Sequence, residues 1–407
     1  MRVCMLGYTF YEVDSRVQQY SRALVARGDE VEFVGLRKPG QPAEGTLEGV
    51  RIFGIQDREY DEKRKVTYLF KLLQFLTRAS LLLSRRHLRQ RYDIIHVHNV
   101  PDFLVFAAWF PKLAGAKIIL DIHDVTPEFY VTKFNVPPGC ATFQALLFLE
   151  KICTAFSDHV IIANDIWREK LISRCLAASK CTTLLNYPMY FVPDRPTRQK
   201  IDSRFTILYP GSLNHHQGVD IAVRALASMK DSIPDCEFHI FGEGGDSKNI
   251  AGLIEQFGLE KNVILHPPVS HEEIVQIMQS FDLGVDPKRA DGFANEALGG
   301  KIFEFMACGL PAIVSDTQAN KRYFSEHVVR FCRSDDPEDF AKSILAFYHD
   351  RESMNQLARN ASKFVHSYQW DVQKSVYLAL VDSLVRSPKK VSAATTSTKG
   401  VWRAKVR

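Results

Sequence analysis

The chain has 407 residues, 46% hydrophobic and 24% charged, with 22 Gly and 18 Pro. That length exceeds one ordinary core and makes two domains the expectation, while the composition excludes a fibrous or low-complexity chain. The formal charge is +5, but residues 387–407 hold six Lys/Arg and no acid, so the body is close to neutral and no nucleic-acid partner is expected.

Strand and helix patterns alternate from the start. A buried strand over 3–7 is followed by an amphipathic helix over 16–27, closed by Gly28, and a strand over 31–35. No small-residue cleavage site follows the first apolar run, so a secretion signal is not expected. A hairpin-like piece covers 50–55. Strands over 94–98, 117–121, 159–163 and 183–185 alternate with helices over 102–113 and 144–156. The polar, Pro-rich stretch 192–203 suits a linker. Domain boundaries at 1–195 and 205–368, joined by 196–204, follow. The second series has strands over 205–209, 237–241, 263–266, 283–285, 312–315 and 328–331. Helices over 219–229, 250–257, 271–280, 301–308, 337–350 and 354–364 separate or follow them. A last helix, within 369–386, comes after the second sheet is finished and is expected to cross back to the first domain. Residues 387–407 read as a basic disordered tail. The fold class is α/β: two tandem Rossmann-like, doubly wound parallel-sheet domains with a cleft between them.

Residues 63–91 break the rhythm with nine Lys/Arg, no acid and interleaved Leu and Phe. They are too interrupted by charge to span a bilayer. Two readings fit: a basic amphipathic helix on an anionic membrane surface, or a helix packed on the sheet with a solvated edge. Eight cysteines without a CxxC pair favour a reducing compartment, hence a cytoplasmic protein, peripheral on the inner face of the membrane if the first reading holds.

Several chemistries are missing. The first βα turn has no GxGxxG, and the chain has neither a P-loop nor a GxSxG elbow. No Asp-x-Asp pair is placed to hold a metal on a diphosphate, so no metal and no cofactor are expected.

What remains points to a phosphate and a sugar. Gly211-Ser212, Gly242-Glu243-Gly244-Gly245 and Gly299-Gly300-Lys301 each follow a strand of the second half, which sets all three at one sheet edge. The last opens a helix, where free N–H groups and the dipole suit a diphosphate. That helix reads as apolar nearly all round and therefore buried, with Glu304 in its middle. A buried carboxylate needs a partner: a ribose diol or a salt bridge. Glu296, read as a loop residue, either reaches a hexose hydroxyl or is a solvated acid. In the first half, Asp121, His123 and Asp124 end a strand; His96 and His98 share a face of another.

These residues, in this order, resemble the retaining glycosyltransferases of family 4, with the GT-B fold. The resemblance runs over about residues 1–384. Its most specific part is Glu296 and Glu304, eight apart, continued by FMACGLPAIVSD; YPGSLNHHQGVDIAVRALA, FHIFGEG, NVILHPPVSHEEIVQIMQSFDLGV, IIHVHNVPDFLVF and IILDIHDVTPEFY support it. It implies a nucleoside-diphosphate sugar on the second half and a glycan or polyprenyl-linked acceptor on the first, in polysaccharide or glycolipid biosynthesis. It implies His123 and Glu296 at the reacting sugar. Gly211, Ser212, Gln217, Gly242, Val269, Glu296, Gly299, Gly300, Lys301 and Glu304 would hold the donor. Arg16, His98, Asp121 and Asp124 would lie on the acceptor side. Ser212 and Gln217 stand where the family usually has Arg and Lys on the diphosphate. Lys301, Arg289, Lys288 or His215-His216 would have to compensate. Three rival readings stay open: a non-catalytic relative that binds a nucleotide or a partner, a metal-dependent hydrolase on His96, His98, Asp121, His123 and Asp124, and an epimerase.

Overall fold

Runs of Val, Ile, Leu and Phe too short for helices form the central strands, buried on both faces as parallel strands are. The computed structural model describes residues 1–58, 65–134, 136–137, 139–189 and 204–386. Most of the expected linker 196–204, residues 63–64 of the basic segment and the expected tail 387–407 lie outside them.

The first sheet has eight strands: β1 (Arg2–Gly7), β2 (Glu30–Arg37), β3 (Glu44–Leu47), β4 (Val50–Asp57), β5 (Ile94–His98), β6 (Lys117–Ile122), β7 (His159–Ile162) and β8 (Cys181–Thr183). Their order is β3-β4-β2-β1-β5-β6-β7-β8. Every pairing is parallel except the β3–β4 hairpin. The second sheet has six: β9 (Phe205–Pro210), β10 (Cys236–Phe241), β11 (Val263–His266), β12 (Leu283–Asp286), β13 (Ala312–Ser315) and β14 (Arg330–Cys332), ordered β11-β10-β9-β12-β13-β14 and all parallel. Strand order reverses between β1 and β5 and between β9 and β12, the switch points where such sheets bind ligands.

The basic segment forms one helix, Lys65–Arg89. Leu72, Phe75, Ala79 and Leu83, at helical spacing, are buried against the first sheet. Leu69, Phe70, Leu73, Leu81 and Leu88 point outward and are exposed. The last helix, Trp370–Val385, lies on helix Ser15–Ala26 of the first half. Tyr377 and Val381 are buried with Val17, Tyr20 and Leu24, and Arg27 pairs with Asp382 at 2.8 Å.

Four helices were not expected: Thr126–Phe134, Asp165–Arg174, Gly292–Glu296 and Gln318–Tyr323. The expected helix 102–113 is a 3-10 run, Asp102–Ala108, leading into a short α-helix, Trp109–Leu113. Its first carboxyl, Asp102, is tied to Asn99 at 2.7 Å and Thr126 at 3.2 Å.

Candidate active site

A cleft of about 700 Å³ separates the start of helix Ser15–Ala26 from the carboxyl edge of the second sheet. Glu12, Ser15, Gln18 and Arg22 line it from one side. Gly211, Ser212, Gly242, Glu243, Val269, His271 and Glu304 line it from the other. The glycines are there because backbones touch: Gly242 has φ +154°, and a Cβ on it would fall 1.9 Å from the Gly211 carbonyl oxygen. No side chain fits between the two loops.

Helix Gly300–Ala307 is capped by Gly299, as its glycine pair foretells. It is not apolar all round. Ile302, Phe303, Phe305, Met306 and Ala307 are buried, but Lys301 and Glu304, three apart, form one polar stripe. Glu304 is 21% exposed and faces the cleft, so the expected buried carboxylate is a cleft-lining one. Its nearest basic side chain is His271, with Nδ1 at 3.6 Å. Burial of the carboxyl group pushes its pKa up, only partly offset by His271 and Lys301.

Lys301 is the cation at the glycine loops. Its Nζ lies 3.2 Å from Asp286 Oδ1, 3.5 Å from Gln217 Oε1 and 4.1 Å from the Tyr209 ring centre. A Cβ on Gly211 would stand 3.2 Å from that nitrogen. The other candidates are otherwise engaged. Arg289 is forked onto Asp220 at 2.8 and 2.6 Å and bonded to Asp335 at 2.6 Å. Lys288 is buried and donates to the Ala297 carbonyl at 3.0 Å. Burial also lowers the His216 pKa. Gly299 packs toward Asp286 and Lys288, and Gly300 toward Asn186 of the first half.

A second cavity of about 240 Å³ is lined by Tyr8, Thr9, Asp14, His98, Asn99, Val100, His123 and Asp124. Beneath it, Asp121 is fully buried and forked by Arg16 through two 2.8 Å hydrogen bonds. His98 and His123 approach the same carboxylate at 3.3 and 3.4 Å, and His96 at 3.7 Å. Burial alone would raise the Asp121 pKa; the Arg16 and His123 charges hold it well below the ordinary carboxylate range. Burial likewise opposes charging of His123, but Asp121 overrides it and the His123 pKa rises. His96 and His98 are pushed down, chiefly by burial. Of the acceptor-side residues expected, His98 and Asp124 line this cavity; Arg16 and Asp121 do not, because they are paired to each other underneath it.

Glu296 lines neither cavity and is not a loop residue. It ends helix Gly292–Glu296, and its carboxylate pairs with Lys170 of the first half.

Two family models tile this chain. "Glycosyl transferases group 1" matches residues 193–364, and "Glycosyl transferase 4-like domain" matches residues 13–186. The chain belongs to the GT-B glycosyltransferases of the family 4 type. One subunit of the human phosphatidylinositol N-acetylglucosaminyltransferase is 22% identical over 338 residues, which are 81% of this chain. The match spans only 65% of that protein's length. A D-inositol 3-phosphate glycosyltransferase of Paenarthrobacter aurescens is 26% identical over 89% of this chain and 90% of its own. The crystal structure of Anabaena HepE in complex with UDP-glucose superposes with a TM-score of 0.71 at 15% identity, covering 94% of this chain and all of that one.

In this glycosyltransferase His96, His98 and Asp121 gather ligand-type atoms within 4.8 Å of one another. They do not fit a divalent ion. Arg16 holds both Asp121 oxygens, and a guanidinium fork occupies the position a cation would take. Sequence reasoning missed Asp14, Lys170 and His271. The spacing Ser270-x-x-Glu273 is a capping box and marks His271 as the first helical residue, at the cleft. Asn164, a helix cap, signals the helix that carries Lys170. Nothing local marks Lys170 itself.

Proposed function

We propose that this chain is a retaining, metal-independent glycosyltransferase that moves a sugar from a uridine-diphosphate sugar to a hydroxyl of a glycan or lipid-linked sugar. One observation carries it: Glu304 lines an interdomain cleft together with two touching glycine loops, with Lys301 against the Gly211 loop. Ionised Glu304 would accept two hydrogen bonds from the ribose hydroxyls. The loops admit the diphosphate, and Lys301 supplies the cation that Ser212 and Gln217 lack. That cation speaks against a non-catalytic relative. The complex of the similar HepE with UDP-glucose supports the choice of donor.

The bond from the sugar C1 to the diphosphate oxygen breaks, and a bond from C1 to the acceptor oxygen forms on the same face. The acceptor proton passes to the departing diphosphate. Lys301 offsets the charge developing there, so no metal is required. His123, whose charged form Asp121 favours, would stand at the sugar side. Closure of the two halves would keep water off the donor.

The outward face of helix Lys65–Arg89 exposes Leu69, Phe70, Leu73, Leu81 and Leu88, and Trp109, which donates to Ser80 of that helix, is exposed beside it. Arg78, Arg85 and Arg89 belong to the same helix. This supports a peripheral site on an anionic membrane, where a lipid-linked acceptor would be met. Among the described residues no helix is long and apolar enough to cross a membrane.

The test is a thermal-shift and calorimetric screen of UDP, UDP-glucose, UDP-N-acetylglucosamine and GDP-mannose. At about 100 times Kd a ligand stabilises by roughly 2.7 kcal/mol. The expected outcome is uridine-selective binding that Glu304→Ala abolishes. Unchanged binding by Glu304→Ala would refute the site.

A further inference from the structure

The turn that carries Glu296 belongs by sequence to the donor half, but it is packed into the acceptor half. Phe293, only 5% exposed, sets its ring between Phe129, edge-on at 5.3 Å, and Trp167, stacked at 5.4 Å. Phe293 and Ala297 are part of the first half's apolar core. The backbone is tied the same way. Phe293 N–H donates to Thr132 Oγ1 at 3.4 Å, and Asn164 Nδ2 donates to the Glu296 carbonyl at 3.1 Å.

The carboxylate ends on Lys170, which binds Oε2 and leaves Oε1 without a hydrogen bond among the described residues. Lys170 is itself steadied by Glu128 at 3.4 Å, and Glu128 pairs with Arg174 on the same helix as Lys170. So the ring, the carbonyl and the carboxylate are all restrained from the acceptor half. A carboxylate fixed at one oxygen offers the other to a substrate hydroxyl in a set direction, which is how a supporting shell fixes a reacting group.

We propose that Lys170 and Phe293 are positioning residues for Glu296: the acceptor half sets where this carboxylate stands, so the donor-sugar subsite is complete only while the two halves are docked. This rests on the reading of Glu296 as a donor-sugar contact. The residues assigned to the nucleotide, Glu304, Lys301 and the glycine loops, all belong to the donor half, although the first half lines the other wall of the cleft. Binding of the nucleotide and alignment of the sugar are therefore separable.

That separation is what the experiment reads. In the full chain, affinities for UDP and for the tighter binder of UDP-glucose and UDP-N-acetylglucosamine are measured by calorimetry, together with the slow hydrolysis of that donor. Lys170→Met is expected to keep UDP affinity within about twofold and to lose the extra affinity contributed by the sugar. Its turnover should fall on the order of 100-fold, the cost of about an ångström of misplacement. Lys170→Arg, which retains the ion pair, should recover most of both, which a merely structural role would not require. Phe293→Leu, which keeps an apolar plug, should show the same loss in smaller measure. If the unaltered chain binds neither UDP nor either sugar nucleotide, the donor-site reading falls and this inference with it. If it binds and turns over the donor, and Lys170→Met does so equally well, only the positioning role is overturned.

Discussion

Asp121 in the acceptor half and Glu304 in the donor half are both carboxylates with cationic neighbours, and they are held in opposite ways. Asp121 has no exposure, two 2.8 Å bonds from Arg16, and two imidazoles within 3.4 Å. Glu304 has an open side, a histidine at 3.6 Å and Lys301 three residues away. Burial acts on both, raising each pKa, but Arg16 reverses it at Asp121 while His271 and Lys301 fail to reverse it at Glu304. The difference separates scaffold from site. A completed polar network fixes structure; an incomplete one at a cleft waits for the groups that complete it.

Removing each acid should therefore break different things. Asp121→Asn leaves the buried Arg16 charge uncompensated and should cost about 3–5 kcal/mol of stability, read as a lowered denaturation midpoint. Glu304→Gln should leave that midpoint nearly unchanged and weaken UDP binding about 100-fold, the loss of two hydrogen bonds to a charged acceptor. If the two variants behaved alike in both assays, the division into scaffold and site would be wrong.

Lys301 sharpens the comparison because it is placed for both roles. It pairs with buried Asp286 and lies against the Gly211 loop. Lys301→Met should lose roughly 10- to 100-fold in UDP affinity, one charge-assisted contact, while uridine binds as before. It should also lose stability, since Asp286 then keeps only Lys288 nearby. Adding Asp286→Asn should restore stability and leave UDP binding weak. An equal loss of uridine and UDP would assign Lys301 to the fold alone.

The two sheets were legible because most strands are short apolar runs between turn signals, as with Ile94–His98 and Ala312–Ser315, whereas the exposed β3, Glu44–Leu47, carries no such run and was not expected. The glutamates stand out in the sequence through their spacing of eight, but only Glu304 lines the cleft. What the sequence hides is pairing at long range. Arg16 and Asp121 are 105 positions apart, and Lys170 and Glu296 are 126 apart. Helix Gly292–Glu296 is too short for any periodicity to register. Helix Gly300–Ala307 misleads for a related reason. Two polar residues among apolar ones look like a buried helix with an awkward charge, until Glu304 is seen to line the cleft and Lys301 to pair with Asp286.

The smallest expected effect tests the opposite pKa directions. Asp121 is depressed, so its stabilising contribution is present above the ordinary Asp range and is lost only as pH falls through its lower folded value. Acidification from about pH 7.5 to 5 leaves it intact. Glu304 is raised, so the folded chain takes up its proton earlier, and the same acidification removes the charge that would accept the ribose hydroxyls. Donor affinity should then weaken progressively as the pH falls, because the protonated carboxyl no longer offers its charge to the ligand. UDP-glucose is the ligand for this titration, because the terminal phosphate of UDP itself titrates at about pH 6, as phosphate groups with a second ionisation do. Glu304→Gln binds more weakly throughout but should show a flat profile over the same range. A flat profile in the unaltered chain would mean that Glu304 is held ionised as firmly as Asp121, and the contrast between the two acids would disappear. A slope that survives in Glu304→Gln would move the titration to a histidine, with His123 the first to examine because Asp121 already favours its charged form.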